Sequence, residues 1–157
     1  MNQENKLPLP PFSTDTAIQK VKMAENAWNN KDANKISMAY TADSTWRNRD
    51  LFINGRDEIV SFLQKKFKKE TEYKLVKELW AFTGHRIAVR FVYEWLDSNG
   101  QWYRSYGNEN WEFNPQGLMA QRHASINDKK IAESDRKFLW EGNLRPENYA
   151  SLSDLGL

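Results

Sequence analysis

The sequence predicts an α+β domain in which helices come first and a strongly curved, mostly antiparallel sheet follows. Two observations carry this. Apolar residues recur at helical spacing early in the chain and again after Asn54-Gly55, whereas from Glu72 onward they alternate as strands do, broken only by short turn sequences. Helices followed by a run of strands is the order of an α+β layer structure, with the helices covering one face of the sheet and a cavity between the layers.

In chain order, residues 1–13 carry Leu7-Pro8-Leu9-Pro10-Pro11-Phe12, which must be extended, because proline fixes φ and restricts its predecessor. They read as an arm lying on the domain or as a tail. Over residues 14–30, Ala17, Val21, Ala24 and Trp28 mark a helix, with Ser13, Thr14 and Asp15 as cap candidates and Thr16 with Gln19 as a capping box. Asp32 caps a short second helix that buries Ile36, Ala39 and Tyr40.

Residues 44–49 form a short charged strand, with Trp46 and Asn48 on one side and two arginines on the other, as expected of a sheet edge. Asn54-Gly55 opens a third helix with the stripe Ile59, Phe62, Leu63 and Phe67. Its lysines, Lys65, Lys66, Lys68 and Lys69, lie largely off that stripe. A solvated face near the helix C-terminus accounts for them, with a phosphate-binding patch as the alternative.

Residues 72–82 are a strand that turns back at Thr83-Gly84-His85. Residues 86–128 hold three more strands, joined at Asn99-Gly100 and at Asn114-Pro115-Gln116-Gly117. Residues 134–140 read as a helical turn and 142–157 as an irregular tail, which leaves residues 14–141 as the domain proper.

The turns set expected registers. A two-residue loop at Asn99-Gly100 sets Tyr93 against Tyr106, Arg90 against Glu109 and Ala88 against Trp111. A four-residue loop at 114–117 sets Glu109 against Arg122 and Trp111 against Ala120. If the turn at Thr83-Gly84-His85 has three loop residues, Glu78 faces Arg90; if it has two, Leu79 does. One face is then mainly apolar, with a central row of Glu78, Arg90, Glu109 and Arg122, and is the natural inner face. The other presents Phe91, Tyr93, Tyr106, Asn108 and His123. A one-residue slip exchanges the faces of a strand, so the row stands or falls with the register.

Composition narrows the classes. With 157 residues, 39% hydrophobic and 28% charged, the chain is of ordinary single-domain make-up. A formal charge of +2 gives no general attraction to nucleic acid or anionic membrane. The absence of cysteine excludes disulfides, thiolate metal sites and cysteine nucleophiles, and two distant histidines, His85 and His123, do not make a zinc site. No signal-peptide pattern or long apolar run is present, so a cytoplasmic location without membrane contact is expected. P-loop and Rossmann glycine patterns are also missing, and no cofactor is expected.

The element order, the paired N-terminal helices, the STWRN strand followed by NGRDEIVSFL, and the long terminal hairpins resemble the nuclear transport factor 2-like superfamily. This is the cone-shaped fold of ketosteroid isomerases, SnoaL-like polyketide cyclases and many non-enzymatic proteins. More narrowly, RNRDLFINGRDEIVSFLQKKF, YKLVKELWAFTGHRIAVRFVYEW, YGNENWEFNPQGLMAQRHASIND and the ending SDLGL resemble a bacterial family within it known as a domain of unknown function. The resemblance implies a pocket inside the cone and a homodimer through the outer sheet face. No residue matches an isomerase or cyclase catalytic motif.

The residues themselves suggest a role for the charged row. A carboxylate between guanidinium groups is held ionised and is a weak base, so Glu109 is expected to orient Arg90 and Arg122, one of which presents its planar fork to a ligand oxyanion. These three are the catalytic candidates. Trp46, Asn48, Glu78 and Trp111 are the ligand-binding candidates, the tryptophans forming an apolar wall. The other face, with Phe91, Tyr93, Tyr106, Asn108 and His123, is the expected dimer interface, since interface cores favour aromatics. Two function classes follow. One is a cofactor-independent isomerase, cyclase or hydrolase acting on an acidic or oxygen-rich small molecule; the other is a non-catalytic binding or dimerisation module in which the row is only a satisfied ion network.

Overall fold

The computed structural model describes residues 5–157. Helix α1 (Thr14–Asn30) starts at Ser13, whose side chain accepts the Thr16 N–H while Thr16 Oγ1 accepts the Ser13 N–H. The capping box therefore sits three residues before the expected Thr16 and Gln19, because Ser13 is the last extended residue. Asp32 caps α2 (Ala33–Ser37) by accepting the Lys35 N–H at 3.1 Å. Then come β1 (Tyr40–Asn48), β2 (Leu51–Asn54), α3 (Gly55–Lys69), β3 (Thr71–Thr83), β4 (Arg86–Leu96), β5 (Trp102–Phe113) and β6 (Met119–Ile131). A 3₁₀ turn at Glu133–Asp135 replaces the longer helical turn expected over 134–140, and the chain ends with α4 (Leu152–Leu155).

The strands form one six-stranded sheet in the order β2-β1-β6-β5-β4-β3, antiparallel except for the parallel pair β1 and β6. β1 is consequently an interior strand, and its assignment as an edge is corrected. Arg49, at φ 59, turns the chain tightly enough for Asn48 to face Leu51, and the short β2 becomes the edge. The polar side of β1 is occupied by the neighbouring strand: Arg47 donates to the carbonyls of Arg49 and Ala124 and to Ser125 Oγ.

Both terminal hairpins have three-residue loops that end on a left-handed glycine, Gly100 at φ 80 and Gly117 at φ 81. In each, the residue before the loop ties the turn with its side chain. Asp97 accepts the N–H groups of Asn99 and Gln101, and Asn114 accepts those of Gln116 and Leu118. This differs from the two-residue and four-residue loops expected. In β4 and β5 the consequence is a one-residue slip: Arg90 faces Asn108, Val89 faces Glu109 and Ile87 faces Trp111. Between β5 and β6 the three-residue loop is followed by a bulge at Ala120, so Trp111 faces Arg122 and Glu109 faces Ala124, with the side-chain alternation of Arg122 preserved. Between β3 and β4 the loop has two residues, and a bulge at Trp80 restores the pairing of Glu78 with Arg90.

The slip turns β4 over. Ile87, Val89, Phe91, Tyr93 and Trp95 point into the core between sheet and helices, while Ala88, Arg90 and Val92 lie on the outer face. The core is built mainly from aromatics: the Trp46 ring stacks on Trp28 at 5.9 Å and meets Tyr40 and Phe62 edge-on. Gly107 lies directly under the Phe91 ring, where a Cβ would stand 2.2 Å from it.

The C-terminal segment is not an irregular appendage. Phe138, Trp140 and Leu152 are buried against Val76 and Val92 on the outer face of the sheet, with Tyr106 packed beside them. The N-terminal arm also packs: Phe12 is buried, its N–H donates to the Gly84 carbonyl, and the Lys6 N–H donates to the Gln116 carbonyl.

Candidate functional site

Inside the cone, the alternation of β3 places Tyr73, Leu75 and Lys77 inward, and β5 and β6 bring Glu109 and Arg122 to meet Lys77. Lys77 Nζ donates to Glu109 Oε1 at 2.9 Å, Arg122 Nη2 donates to Glu109 Oε2 at 3.2 Å, and Trp111 Nε1 also donates to Oε1. Asn48 Oδ1 accepts from Arg122 Nη1 at 3.0 Å. Aromatic rings enclose both cations: the Arg122 guanidinium lies 4.6 Å from the Trp46 ring and 5.0 Å from Trp28, and Lys77 Nζ lies 4.4 Å from Phe91.

Burial pushes the Glu109 carboxyl up, but Lys77 and Arg122 together outweigh it and hold the group below the usual carboxylate range. Burial also lowers the Lys77 ammonium, against the pull of Glu109. Each of the three side chains is at most 2% exposed, so this is a sealed ion network. With two cations to one carboxylate it is rich in donors: Arg122 Nε and Trp46 Nε1 meet no acceptor among the described residues.

Of the expected site residues, the fold thus joins Glu109, Arg122, Trp111, Trp46 and Asn48 in one place. Arg90 and Glu78 are elsewhere. They pair on the outer face at 2.5 Å, where Arg90 also donates to the Leu157 carbonyl and Ser153 donates to Glu78. The slip in β4 is the reason, and Arg90 and Glu78 leave the interior for it.

The same slip removes the aromatic surface on which the dimer expectation rested. Phe91 and Tyr93 are buried in the cone and Tyr106 packs under the C-terminal segment, leaving Asn108 and His123 exposed on the outer face. His85 is exposed and bonded to Glu112. Lys77 was missed because placing Arg90 inward forced the opposite alternation on β3. The pattern Tyr73, Leu75, Lys77 was visible in the sequence, but nothing local marks a lysine as buried.

A cavity of about 150 Å³ lies next to this network, between α1, α2 and the sheet. Trp28, Tyr40, Trp111 and Phe113 are among its walls, so two side chains that touch the ion network also face the cavity, while Lys77, Glu109 and Arg122 do not line it. Three lysines, Lys6, Lys20 and Lys35, are among its lining, and Lys20, on the flank of the α1 apolar stripe and 6% exposed, is the buried one. Lys20 Nζ donates to the carbonyls of Lys6 at 2.9 Å and Gly117 at 2.8 Å, and it has no carboxylate partner among the described residues. Burial, helped by the charge of Lys6, lowers its pKa from 10.5 to about 8. Lys20 lies three residues after Ala17 and four before Ala24, a spacing that could have marked it as facing the layer interface.

Among the described residues no group of three His, Asp or Glu side chains converges as metal ligands would, and no helix is long and apolar enough to cross a membrane.

Solved structures with the same architecture have low sequence identity. SalBIII, described as an epoxide hydrolase/cyclase-like enzyme with a role in pyran ring formation in the polyether salinomycin, is 17% identical with a TM-score of 0.64, over 72% of this chain and 92% of that chain. An NTF2-like protein of unknown function from Burkholderia pseudomallei is 19% identical with a TM-score of 0.64, over 71% and 90% of the two chains. Another, from Exiguobacterium, is 15% identical with a TM-score of 0.60, over 73% and 100%. The fold is the nuclear transport factor 2-like cone. No curated protein matches the sequence. One family model matches residues 10–139, most of the chain, and by that match the chain belongs to the family described as protein of unknown function (DUF1348).

Proposed function

We propose that this protein binds a small organic acid in the cavity between α1, α2 and the sheet. The acidic group pairs with Lys20, and the apolar body packs on Trp28, Tyr40, Trp111 and Phe113. The observation that carries this reading is the Lys20 ammonium, buried in the wall of an aromatic cavity with only two carbonyls as partners. Burying a cation without an opposite charge is costly, and a ligand carboxylate supplies the missing charge. A cavity of this size takes a molecule about as large as benzene, which a benzoate-like acid approximates.

The site suits binding better than catalysis. Glu109, the carboxylate best placed to act as a base, is held ionised and shielded from the cavity by Trp111. The ion network organises the two tryptophan walls, with Trp111 fixed by Glu109 and Trp28 lying against Arg122.

The test is calorimetric titration of the full chain with benzoate and with the isosteric neutral benzamide, in wild type and in Lys20→Met. Saturable binding of benzoate, weaker by about tenfold or more for benzamide and for the variant, is the expected result. Equal affinity of wild type and variant for benzoate would overturn it.

A further inference from the structure

The lysine cluster of α3 is not a uniformly solvated face. Lys65, Lys66 and Lys69 border a second hollow, of about 380 Å³, where α3 passes the ends of β1, β4 and β6, whereas Lys68 does not. Arg49 supplies a fourth cation. It is pinned at both ends: its backbone N–H donates to the Ala124 carbonyl, and its guanidinium donates to Asp128 at 2.7 Å and to the Ile126 carbonyl at 3.3 Å. Asp128 in turn accepts from Ser105, which accepts from Trp95 Nε1. Lys66, with a side chain only 9% exposed, bonds Glu70 at 2.7 Å and holds its ammonium 4.1 Å from the Tyr93 ring. Lys69 approaches the Trp95 ring at 5.7 Å.

Four cations therefore meet two carboxylates, and each carboxylate is already paired, Glu70 with Lys66 and Asp128 with Arg49. Lys65 and Lys69 have no acidic partner among the described residues, and the hollow carries an excess of two positive charges. The buried aromatic floor and the two ion pairs fix Lys66 and Arg49 in place, which lowers the ordering cost of binding. Asn48 also lines the hollow and bonds Arg122, so the site lies one side chain from the buried ion network.

We infer that this hollow is a binding site for a compact dianion, a phosphate monoester or a dicarboxylate, distinct from the Lys20 cavity. Oxyanions of the ligand pair with Lys65 and Lys69, while Arg49 and Lys66 supply further donors at the walls.

The test uses inorganic phosphate and succinate as probes on the full chain, with binding followed at the indole N–H of Trp95 by NMR and by calorimetry. Both substituted lysines are exposed, so Lys65→Gln/Lys69→Gln is expected to fold as wild type does and to bind about tenfold or more weakly. Lys68→Gln, which removes one charge from the same helix but not from the hollow, is expected to leave affinity unchanged, and Lys20→Met likewise. Saturable binding of either probe with that pattern supports the site, phosphate alone assigning a phosphate ester and succinate alone a dicarboxylate. Saturation by neither probe, or equal weakening by Lys68→Gln, overturns it. Since Lys20→Met separates the two cavities, loss of benzoate binding and loss of phosphate binding are independent results.

Discussion

At the scale of single residues, the ion network inside the cone sets two buried cations, Lys77 and Arg122, against the one carboxylate that both bond, Glu109. Glu109→Gln removes the carboxylate that both Lys77 and Arg122 bond, leaves Arg122 without an acidic partner among the described residues, and is expected to cost about 3 to 5 kcal/mol in urea unfolding. Lys77→Met leaves Arg122 and Glu109 as a one-to-one pair, removes a desolvated ammonium, and is expected to cost clearly less. Equal losses from the two variants would mean that pairing geometry, not charge balance, holds the network. Because the folded-state pKa of Glu109 is lowered, its contribution is present above the ordinary carboxylate range and is lost as pH falls through the lowered value. Lys20 gives the same sign in a higher window, because there the charged form is the one that burial disfavours. With its pKa lowered from 10.5 to about 8, the unfolded chain holds the proton more tightly between those values, so stability should rise as pH climbs from about 8 to 10.5 and Lys20→Met should abolish that rise.

At the scale of elements, turn chemistry decided which parts of the sequence could be read. The helices α1, α2 and α3, the inward position of Trp46 and Asn48, and the turn glycines all follow from periodicity and capping residues. Loop length does not. Asn99-Gly100 carries the signature of a two-residue hairpin, yet the Asp97 side chain bonds two backbone N–H groups and stabilises a three-residue loop instead, and that one residue exchanged Arg90 for Phe91 at the interior. The bulges at Trp80 and Ala120 leave no comparable local mark. The inward set of β5, and of β6 from Arg122 onward, was legible all the same, because the second loop and its bulge together preserve alternation there, whereas Met119, before the bulge, turns inward against expectation.

The paired turns allow a controlled comparison. Gly100 and Gly117 have nearly identical φ, but a Cβ at Gly100 meets nothing within 4 Å whereas one at Gly117 stands 2.0 Å from the Lys6 carbonyl oxygen. Gly100→Ala should cost about 1 to 2 kcal/mol for the left-handed conformation alone. Gly117→Ala should cost more and also displace the N-terminal arm, seen as faster proteolysis near Lys6. Equal costs and equal proteolysis would show that the arm does not bear on this turn.

At the scale of the whole molecule, the cone is packed on both sides of its sheet. The inner side holds the aromatic core and the ion network, and the outer side is partly covered by the C-terminal segment through Phe138, Trp140 and Leu152. Leu152→Ala is expected to destabilise by about 2 to 5 kcal/mol, as for any fully buried leucine, and an unchanged unfolding midpoint would place the segment outside the cooperative unit. The cavity walls draw on α1, α2 and the sheet together, with the arm contributing a carbonyl to Lys20, so a ligand there touches every layer of the fold on that side.

The most direct test of the Lys20 site is the pKa of its ammonium, followed by NMR at the side-chain Cε with and without benzoate. Paired with a carboxylate, the ammonium must hold its proton more tightly, so the pKa should move upward from about 8, and benzoate affinity should fall as pH rises past that value. A Lys20 pKa that saturating benzoate leaves unchanged would contradict the assignment of this cavity to an organic acid.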